Sequence, residues 1–284
     1  MIKVENLSYR YPSKKEETLK NISFQVKKGE IFGFLGPSGA GKSTTQKILI
    51  GILKDYKGSV SVFNEELSTL GSNYYEKIGV AFEFPNFYGK LTAYENLKLF
   101  QRLYAGKTAE PMGLLKKMGL LQDAHVRFSN YSKGMKMRLN FCRALLNNPD
   151  LIFLDEPTSG LDPVNSKIMR ESIQELKEQG KTIVLTTHNM HVADEICDKV
   201  AFMVDGQISL IESPNALKIQ KGKKQLELMY LQDGSMEKAE FSLQGIGENT
   251  EFLQTIKRHE IITMHTQEAT LEDIFIEVTG RKLQ

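Results

Sequence analysis

The stretch Gly36-Pro37-Ser38-Gly39-Ala40-Gly41-Lys42-Ser43 lies between an apolar run and a helical pattern, and it decides the fold. The run before it, Ile31–Leu35, is typical of a buried strand, and the residues from Lys42 to about Leu53 predict a helix. A glycine-rich loop in this position lets backbone N–H groups and the positive end of a helix dipole approach a polyphosphate. The sequence therefore predicts a phosphate-binding loop rather than an incidental glycine-rich turn.

Side chains at the end of this loop have the chemistry to hold a triphosphate and its metal ion. We expect Lys42 to reach the β- and γ-phosphates, Ser43 to bind Mg²⁺ through its hydroxyl, and Thr44 to hydrogen-bond the α-phosphate. The loop itself is expected to bind the nucleotide through its backbone, and its residues are Gly36, Pro37, Ser38, Gly39, Ala40 and Gly41.

Two adjacent carboxylates follow a fully apolar run later in the chain. The run Leu151–Leu154 predicts a strand that is buried on both faces of a parallel sheet, and Asp155 and Glu156 come directly after it. Ligands of open α/β sheets bind at the carboxyl ends of the strands. We expect Asp155 to bind Mg²⁺, through water, and Glu156 to act as the general base that polarises the attacking water. The alternative is a structural pair of acids in a surface turn.

A histidine follows the next buried strand, Thr182–Thr187. In a parallel sheet His188 faces the same edge as Asp155 and Glu156, where its imidazole can contact the γ-phosphate and orient water. A histidine at a strand end is by itself more often structural, and the neighbouring motifs are what favour a catalytic role. We interpret the other four histidines, at positions 125, 191, 259 and 265, as ordinary.

Bulk composition excludes several classes of protein. The chain has 284 residues, and its 37 basic and 35 acidic residues give a net charge of +2, which does not favour a nucleic-acid partner. The two cysteines, Cys142 and Cys197, suggest neither a disulfide framework nor a zinc site. No signal peptide and no apolar stretch of about 20 residues are present. We therefore expect a soluble, cytoplasmic chain.

The order of predicted elements indicates two parts. Alternating strands and helices up to about residue 215 predict an α/β fold with a parallel sheet and helices on both faces, and residues 90–147 look mostly helical. Ser213-Pro214 and residues 220–224 are interpreted as a linker. Residues 216–284 then predict a small α/β extension that ends in an amphipathic helix near residues 271–279.

These motifs, in this order, resemble the nucleotide-binding domain of ABC transporters. The segment Asn130–Leu139, with its Ser-Lys-Gly-Met sequence, stands where the family signature belongs, and Leu154–Pro163 is similar to the family's acid strand and D-loop. The resemblance covers about residues 2–215. It implies a P-loop NTPase fold, with a RecA-like parallel sheet, an antiparallel β subdomain and a helical subdomain. It also implies ATP hydrolysis with ATP and Mg²⁺ as cofactors.

The family further implies a head-to-tail dimer that holds two ATP molecules between its subunits. The signature residues Ser132, Lys133, Gly134 and Met135 are then expected to face the partner's ATP, with the Ser132 hydroxyl and the Gly134 N–H at the γ-phosphate. Asp162 connects the two sites. Tyr11 matches the aromatic residue that stacks on adenine; Tyr9 is the second candidate, and a strand-edge aromatic without that role is the alternative.

Two departures from the family pattern concern charge. Glu83 stands where the nucleotide-sensing loop usually has glutamine, and it can still offer oxygen to Mg²⁺ while adding negative charge near the phosphates. Lys133 replaces the usual second glycine of the signature and Met135 replaces its glutamine. Lys133 either adds charge near the partner's ATP or faces solvent.

A further resemblance, based on Ser-Lys-Gly-Met and the closing Leu-Glu-Asp-Ile-Phe, is to exporters of the ABC-2 type, in which ATPase and permease are separate chains. It implies a second nucleotide-binding subunit, identical or not, and an integral membrane permease that holds the chain at the inner face of the cell membrane. In the family a cleft beside residue 83 receives a permease helix; here Phe84, Phe87, Tyr88 and Tyr94 are candidates for it or for core packing. The competing functions are a non-transport ABC ATPase and an ATP-binding regulatory or resistance protein. The cargo is not readable from this chain.

Overall fold

The computed structural model describes residues 1–221, 224–267 and 269–281. The chain divides into two compact units, and the described residues place Met1–Ser213 in the first and Pro214–Arg281 in the second. None of the helices within the described ranges is both long and apolar enough to cross a membrane. The mixed α/β class that the sequence predicts is confirmed.

The first unit contains ten strands in two sheets. They are β1 Ile2–Tyr9, β2 Leu19–Val26, β3 Ile31–Leu35, β4 Lys57–Val62, β5 Glu65–Glu66, β6 Ile78–Ala81, β7 Leu151–Asp155, β8 Thr182–Thr187, β9 Lys199–Val204 and β10 Gln207–Glu212. The larger sheet has the order β10-β9-β3-β8-β7-β6. Its strands run parallel except β10, which pairs antiparallel with β9. Strands β3, β7 and β8 are buried throughout, because helices cover both faces of such a sheet.

The smaller sheet is antiparallel, with the order β2-β1-β4-β5. Its strands alternate buried and exposed residues, so that one face packs against the larger sheet. Phe24 of β2 lies 5.8 Å from the ring of Phe32 and 5.1 Å from the ring of Phe34, both on β3. These aromatic contacts join the two sheets in one core.

Seven helices belong to the described part of the first unit: α1 Lys42–Leu49, α2 Asn73–Lys77, α3 Ala93–Gln101, α4 Pro111–Lys117, α5 Lys133–Ala144, α6 Pro163–Glu178 and α7 Met190–Ile196. The expectation that α1 reaches about Leu53 is wrong. Gly51 has a φ of +84°, a left-handed conformation that ends a helix. The stretch 90–147 is also less helical than predicted, since three separate helices there are joined by irregular segments.

The second unit is built around a three-stranded antiparallel sheet of order β12-β11-β13. Its elements are α8 Pro214–Lys221, β11 Gln225–Gln232, β12 Ser235–Ser242, α9 Thr250–Arg258, β13 Glu260–Gln267 and α10 Leu271–Thr279. A small core unites Leu226, Leu228, Phe241 and Phe252. The linker interpretation is wrong for Pro214, Gln220 and Lys221, which belong to α8, a helix that starts at a proline; residues 222 and 223 lie outside the described residues.

Candidate functional site

The phosphate loop connects β3 to α1, as predicted, and its backbone conformation requires glycine. A Cβ on Gly36 would lie 2.0 Å from the carbonyl oxygen of Met203 on β9. Gly41 has a φ of +107° and caps α1 without a side-chain hydrogen bond. No side chain of the N-cap residue therefore accepts a hydrogen bond from the first N–H groups of α1. In α5, by contrast, the side chain of Ser132 accepts such a bond. This helix start suits an anion.

Lys42 is almost fully buried beneath the loop. Its Nζ donates hydrogen bonds to the carbonyl oxygens of Gly36 at 2.6 Å and Pro37 at 2.9 Å. Burial lowers the pKa of Lys42, and the carboxylates of Glu156, Asp155 and Glu83 act in the opposite direction. The ammonium group is thus the shared counter-charge of three acids.

Strand β8 pairs with both β3 and β7, and this brings Asp155 at the end of β7 close to Ser43 at the start of α1. The Ser43 hydroxyl donates to Asp155 Oδ1 at 3.1 Å, and the hydroxyl of Thr186 donates to the same oxygen. Hard oxygen donors of this kind are the ligands that Mg²⁺ prefers. The residues expected to hold the metal fit that ion.

Glu156 lies at the same sheet edge in a left-handed backbone conformation, with a φ of +49°. Strained residues of this type persist where the surrounding structure holds them, and they cluster at functional sites. The carboxylate accepts a hydrogen bond from Thr187 Oγ1 at 3.2 Å and lies 2.8 Å from Nδ1 of His188. Thr187 and His188 together orient one carboxylate towards the cavity above the loop.

A cavity of about 350 Å³ connects these groups. It is lined by residues 38–44 and by Tyr11, Lys14, Thr18, Glu83, Glu156 and His188. The Tyr11 hydroxyl lies 3.3 Å from Thr44 Oγ1, whereas Tyr9 is buried in the core at 6% exposure. Of the two aromatic candidates for the adenine contact, Tyr11 has the accessible position.

The signature segment lies elsewhere: none of its described residues lines that cavity. Ser132 is the N-cap of α5, as predicted, and accepts a hydrogen bond from the Met135 N–H at 3.2 Å. The start of α5 packs on the loop before α6. A Cβ on Gly134 would lie 3.4 Å from Leu161 Cδ2, and a Cβ on Gly160 would lie 2.6 Å from Nζ of Lys133. The signature and the D-loop therefore share one surface.

Asp162 begins α6 as its N-cap. Its carboxylate accepts a hydrogen bond from the Asn165 N–H at 3.0 Å and another from the Asn165 side chain. Those bonds lower the pKa of Asp162, because they stabilise the ionised carboxylate.

A second cavity, of about 810 Å³, lies beside the segment 82–91 that follows β6. Phe84 and Tyr88 line it and are exposed at 79% and 59%, while Phe87 packs against Phe100 at 5.6 Å. Tyr94 does not line this groove and packs against His125, which favours the packing alternative for this residue. Two of the four aromatic residues are thus available to a partner.

Three polar residues that sequence reasoning missed hold this segment in place. Asn140, Arg143 and Asn96 donate to the carbonyl oxygens of Phe82, Asn86 and Tyr88, at 2.6, 3.1 and 3.1 Å. Asn96 and Asn140 are fully buried. Their position among apolar residues of α3 and α5 was the available signal, because a buried amide needs hydrogen-bond partners.

A parallel sheet with a glycine loop after β3 and carboxylates after β7 is the arrangement of P-loop nucleoside triphosphatases. The family described as "ABC transporter" matches residues 19–159, and a family described as "Fluoroquinolone efflux ABC transporter C-terminal domain" matches residues 224–268.

Curated relatives extend over the whole chain. A fluoroquinolones export ATP-binding protein of Mycobacterium tuberculosis, strain H37Rv, is 52% identical over 284 residues, covering 100% of this chain and 94% of the relative. The Nod factor export ATP-binding protein I of Burkholderia orbicola, strain AU 1054, is 34% identical over 303 residues, and the match covers 100% of this chain and 98% of the relative.

Among solved structures, the dimeric ATP-binding cassette MJ0796 in a post-hydrolysis state with ADP and Pi has a TM-score of 0.68 and 30% identity, covering 75% of this chain and 98% of that one. The chain belongs to the ABC transporter ATP-binding proteins, which are ATPases.

Proposed function

We propose that this chain is the ATP-hydrolysing subunit of an exporter whose membrane-spanning permease is a separate polypeptide. The observation that carries the proposal is one sheet edge at which Lys42, Ser43, Asp155 and Glu156 meet above the start of α1. Export is part of the name of both curated relatives that match the whole chain. The groove beside residues 82–91 is the surface that we assign to the permease.

The phosphate loop and Lys42 bind the triphosphate in this mechanism. The N–H groups at the start of α1 and the ammonium of Lys42 meet the charge of the β- and γ-phosphates. Lys42 already lies inside the loop, held by two of its carbonyl oxygens, so little reorganisation of the backbone is needed. Tyr11, which lies near Thr44, contacts the adenine.

Glu156 receives a proton from the attacking water. Thr187 and His188 each contact one of its two carboxylate oxygens, and this fixes the direction of the carboxylate. His188 is more than half exposed and lines the same cavity, so its imidazole also reaches the γ-phosphate side of the site. Magnesium, when bound, neutralises phosphate charge, and Ser43, Asp155 and Glu83 are the residues that hold it.

The ATPase acts as a pair of cassettes. Ser132 and the Gly134 N–H, at the start of α5, contact the γ-phosphate bound to the phosphate loop of a second subunit. Asp162 lies on the loop that packs beside this helix start and connects the two sites. The similar cassette that holds ADP and Pi is a dimer.

The cargo that we propose is a drug of the fluoroquinolone class. The support is the 52% identity over the full length to a fluoroquinolones export protein, together with the matching family at residues 224–268. The chain then works at the inner face of the cell membrane, attached through the permease.

Two experiments test the proposal. Calorimetry on the purified chain is expected to detect binding of ATP with Mg²⁺, and the absence of any adenine nucleotide binding would refute the function. For transport, cells that express the chain together with its permease should accumulate less of a fluorescent fluoroquinolone. The matched control is the Lys42→Ala variant with the same permease. Equal accumulation with the wild type and the variant contradicts the proposed cargo.

A further inference from the structure

We propose that Glu83 of one subunit and Lys133 of a second copy compensate each other's charge across the nucleotide between them. The inference rests on the proposed function, in which the start of α5 in one copy meets the phosphate loop of the other. It gives a function to Glu83 and Lys133, which both depart from the family pattern. A neutral glutamine and a neutral glycine are replaced here by one negative and one positive residue, so that the sum of charges is unchanged.

Glu83 adds a second carboxylate to the lining of the nucleotide cavity, where two glutamates face two lysines. It lines the cavity with Glu156 and Lys42, and its carboxylate acts on the same ammonium group as Glu156 and Asp155. The only other lysine in the lining, Lys14, lies over the Tyr11 ring at 5.9 Å. Glu83 makes no ion pair with any residue that the structure describes. Glu83 therefore adds one carboxylate beside the place where a triphosphate and its Mg²⁺ would bind.

Lys133 carries the opposite charge without a partner in its own subunit. Within residues 1–221, 224–267 and 269–281 it forms neither a hydrogen bond nor an ion pair. It is the first residue of α5, where the helix dipole disfavours a cation. This exposed lysine is free to pair with an anion from outside the subunit.

The structure also holds the Lys133 side chain in one direction. Its Cδ, Cε and Nζ lie across Gly160, within 2.9 Å of the point where a Cβ would stand. Gly160 and Leu161 form the loop that leads to Asp162, and Gly134 packs on Leu161. The ammonium of Lys133 is therefore presented on the surface that the signature and the D-loop share. When that surface closes on a second copy, the added cation meets the cavity that has the added acid.

A double-mutant cycle tests the pairing. Four proteins are compared, all in a Glu156→Gln background that stabilises the ATP-bound dimer: the parent, Glu83→Gln, Lys133→Met and the double variant. Sedimentation equilibrium with ATP and Mg²⁺ gives the dimer dissociation constant of each. We expect Lys133→Met to weaken the dimer by about tenfold or more when Glu83 is present, and by about threefold or less when glutamine is there. If Lys133→Met weakens the dimer by the same factor with and without the Glu83→Gln substitution, the inference is overturned.

The controls separate this inference from the proposed function. Lys54→Met removes the same charge from an exposed site and should change the dissociation constant equally, and little, in both backgrounds. Calorimetry on each variant checks that the monomer is folded and binds nucleotide. A parent protein that binds ATP but never dimerises refutes the two-subunit site and the pairing with it. If the parent dimerises normally and the effects of the two substitutions on the dissociation constant are additive, the pairing alone is refuted.

Discussion

Replacing Glu156 with glutamine is the most direct test of the chemistry. The substitution keeps the size and shape of the side chain, and its amide oxygen can still accept the hydrogen bond from Thr187 at 3.2 Å. The left-handed backbone at this residue is retained, because glutamine and glutamate have the same stereochemistry near the backbone. What the variant lacks is a group that can take a proton from water.

The expected fall in kcat follows from the loss of this one proton acceptor. A positioned general base contributes about 10²–10⁴-fold to a rate. We therefore expect kcat to fall by about two to four orders of magnitude, which corresponds to about 2.7–5.5 kcal/mol of transition-state stabilisation. Nucleotide affinity should stay the same or rise, since Lys42, Ser43 and the loop are untouched and one negative charge has been removed.

The assay is steady-state release of phosphate by the purified protein with Mg²⁺, combined with calorimetry of ATP binding. Binding measured on the same preparation is the control for folding. A kcat within about threefold of the wild type would refute the role of Glu156 as base. A parallel loss of binding would instead show that the carboxylate supports the structure of the cavity.

Three further predictions concern binding, stability and assembly. Lys42→Ala should weaken ATP binding by about tenfold or more in calorimetry, because the phosphates lose their fixed cation; unchanged affinity contradicts this. Asn96→Ala should lower the free energy of unfolding in urea by about 2–4 kcal/mol, since the buried amide bonds Tyr88 and Thr92 at 2.9–3.1 Å; a loss below about 0.5 kcal/mol would show that these bonds are replaced. Phe84→Ala with Tyr88→Ala should abolish co-purification with the permease and leave the ATPase rate unchanged, because both rings are exposed; intact assembly argues against the groove.

Much of the fold was predictable because its signals are local. The strands β3, β7 and β8 are short apolar runs, and the boundaries of β3 and β8 agree with the sequence pattern. The end of α1 was not predictable from apolar periodicity, which continues to Leu53. Gly51 ends the helix through its backbone conformation, and an isolated glycine is compatible with either outcome.

The site also has some features that local sequence predicts and others that only the folded chain shows. The phosphate loop, the acid pair and His188 are neighbours of glycines or strand ends, and the chain order places them at one edge. The residues that contact Glu156, in contrast, include one that no sequence motif marks. Thr187 is an unremarkable residue in a strand, and only the folded chain shows its hydroxyl at the carboxylate. The same holds for Asn140, which bonds a carbonyl 58 residues away.

The sequence by itself determined the class of chemistry, because the glycines, the lysine and the carboxylates are required by the phosphates and the metal that they meet. It also determined the layered fold, since periodicity and strand length depend on burial alone. The tertiary structure decided which side chains orient the catalytic ones, which aromatic rings stay exposed, and where Lys133 points. Those properties depend on contacts between residues far apart in the chain, whose geometry exists only once the sheet has assembled.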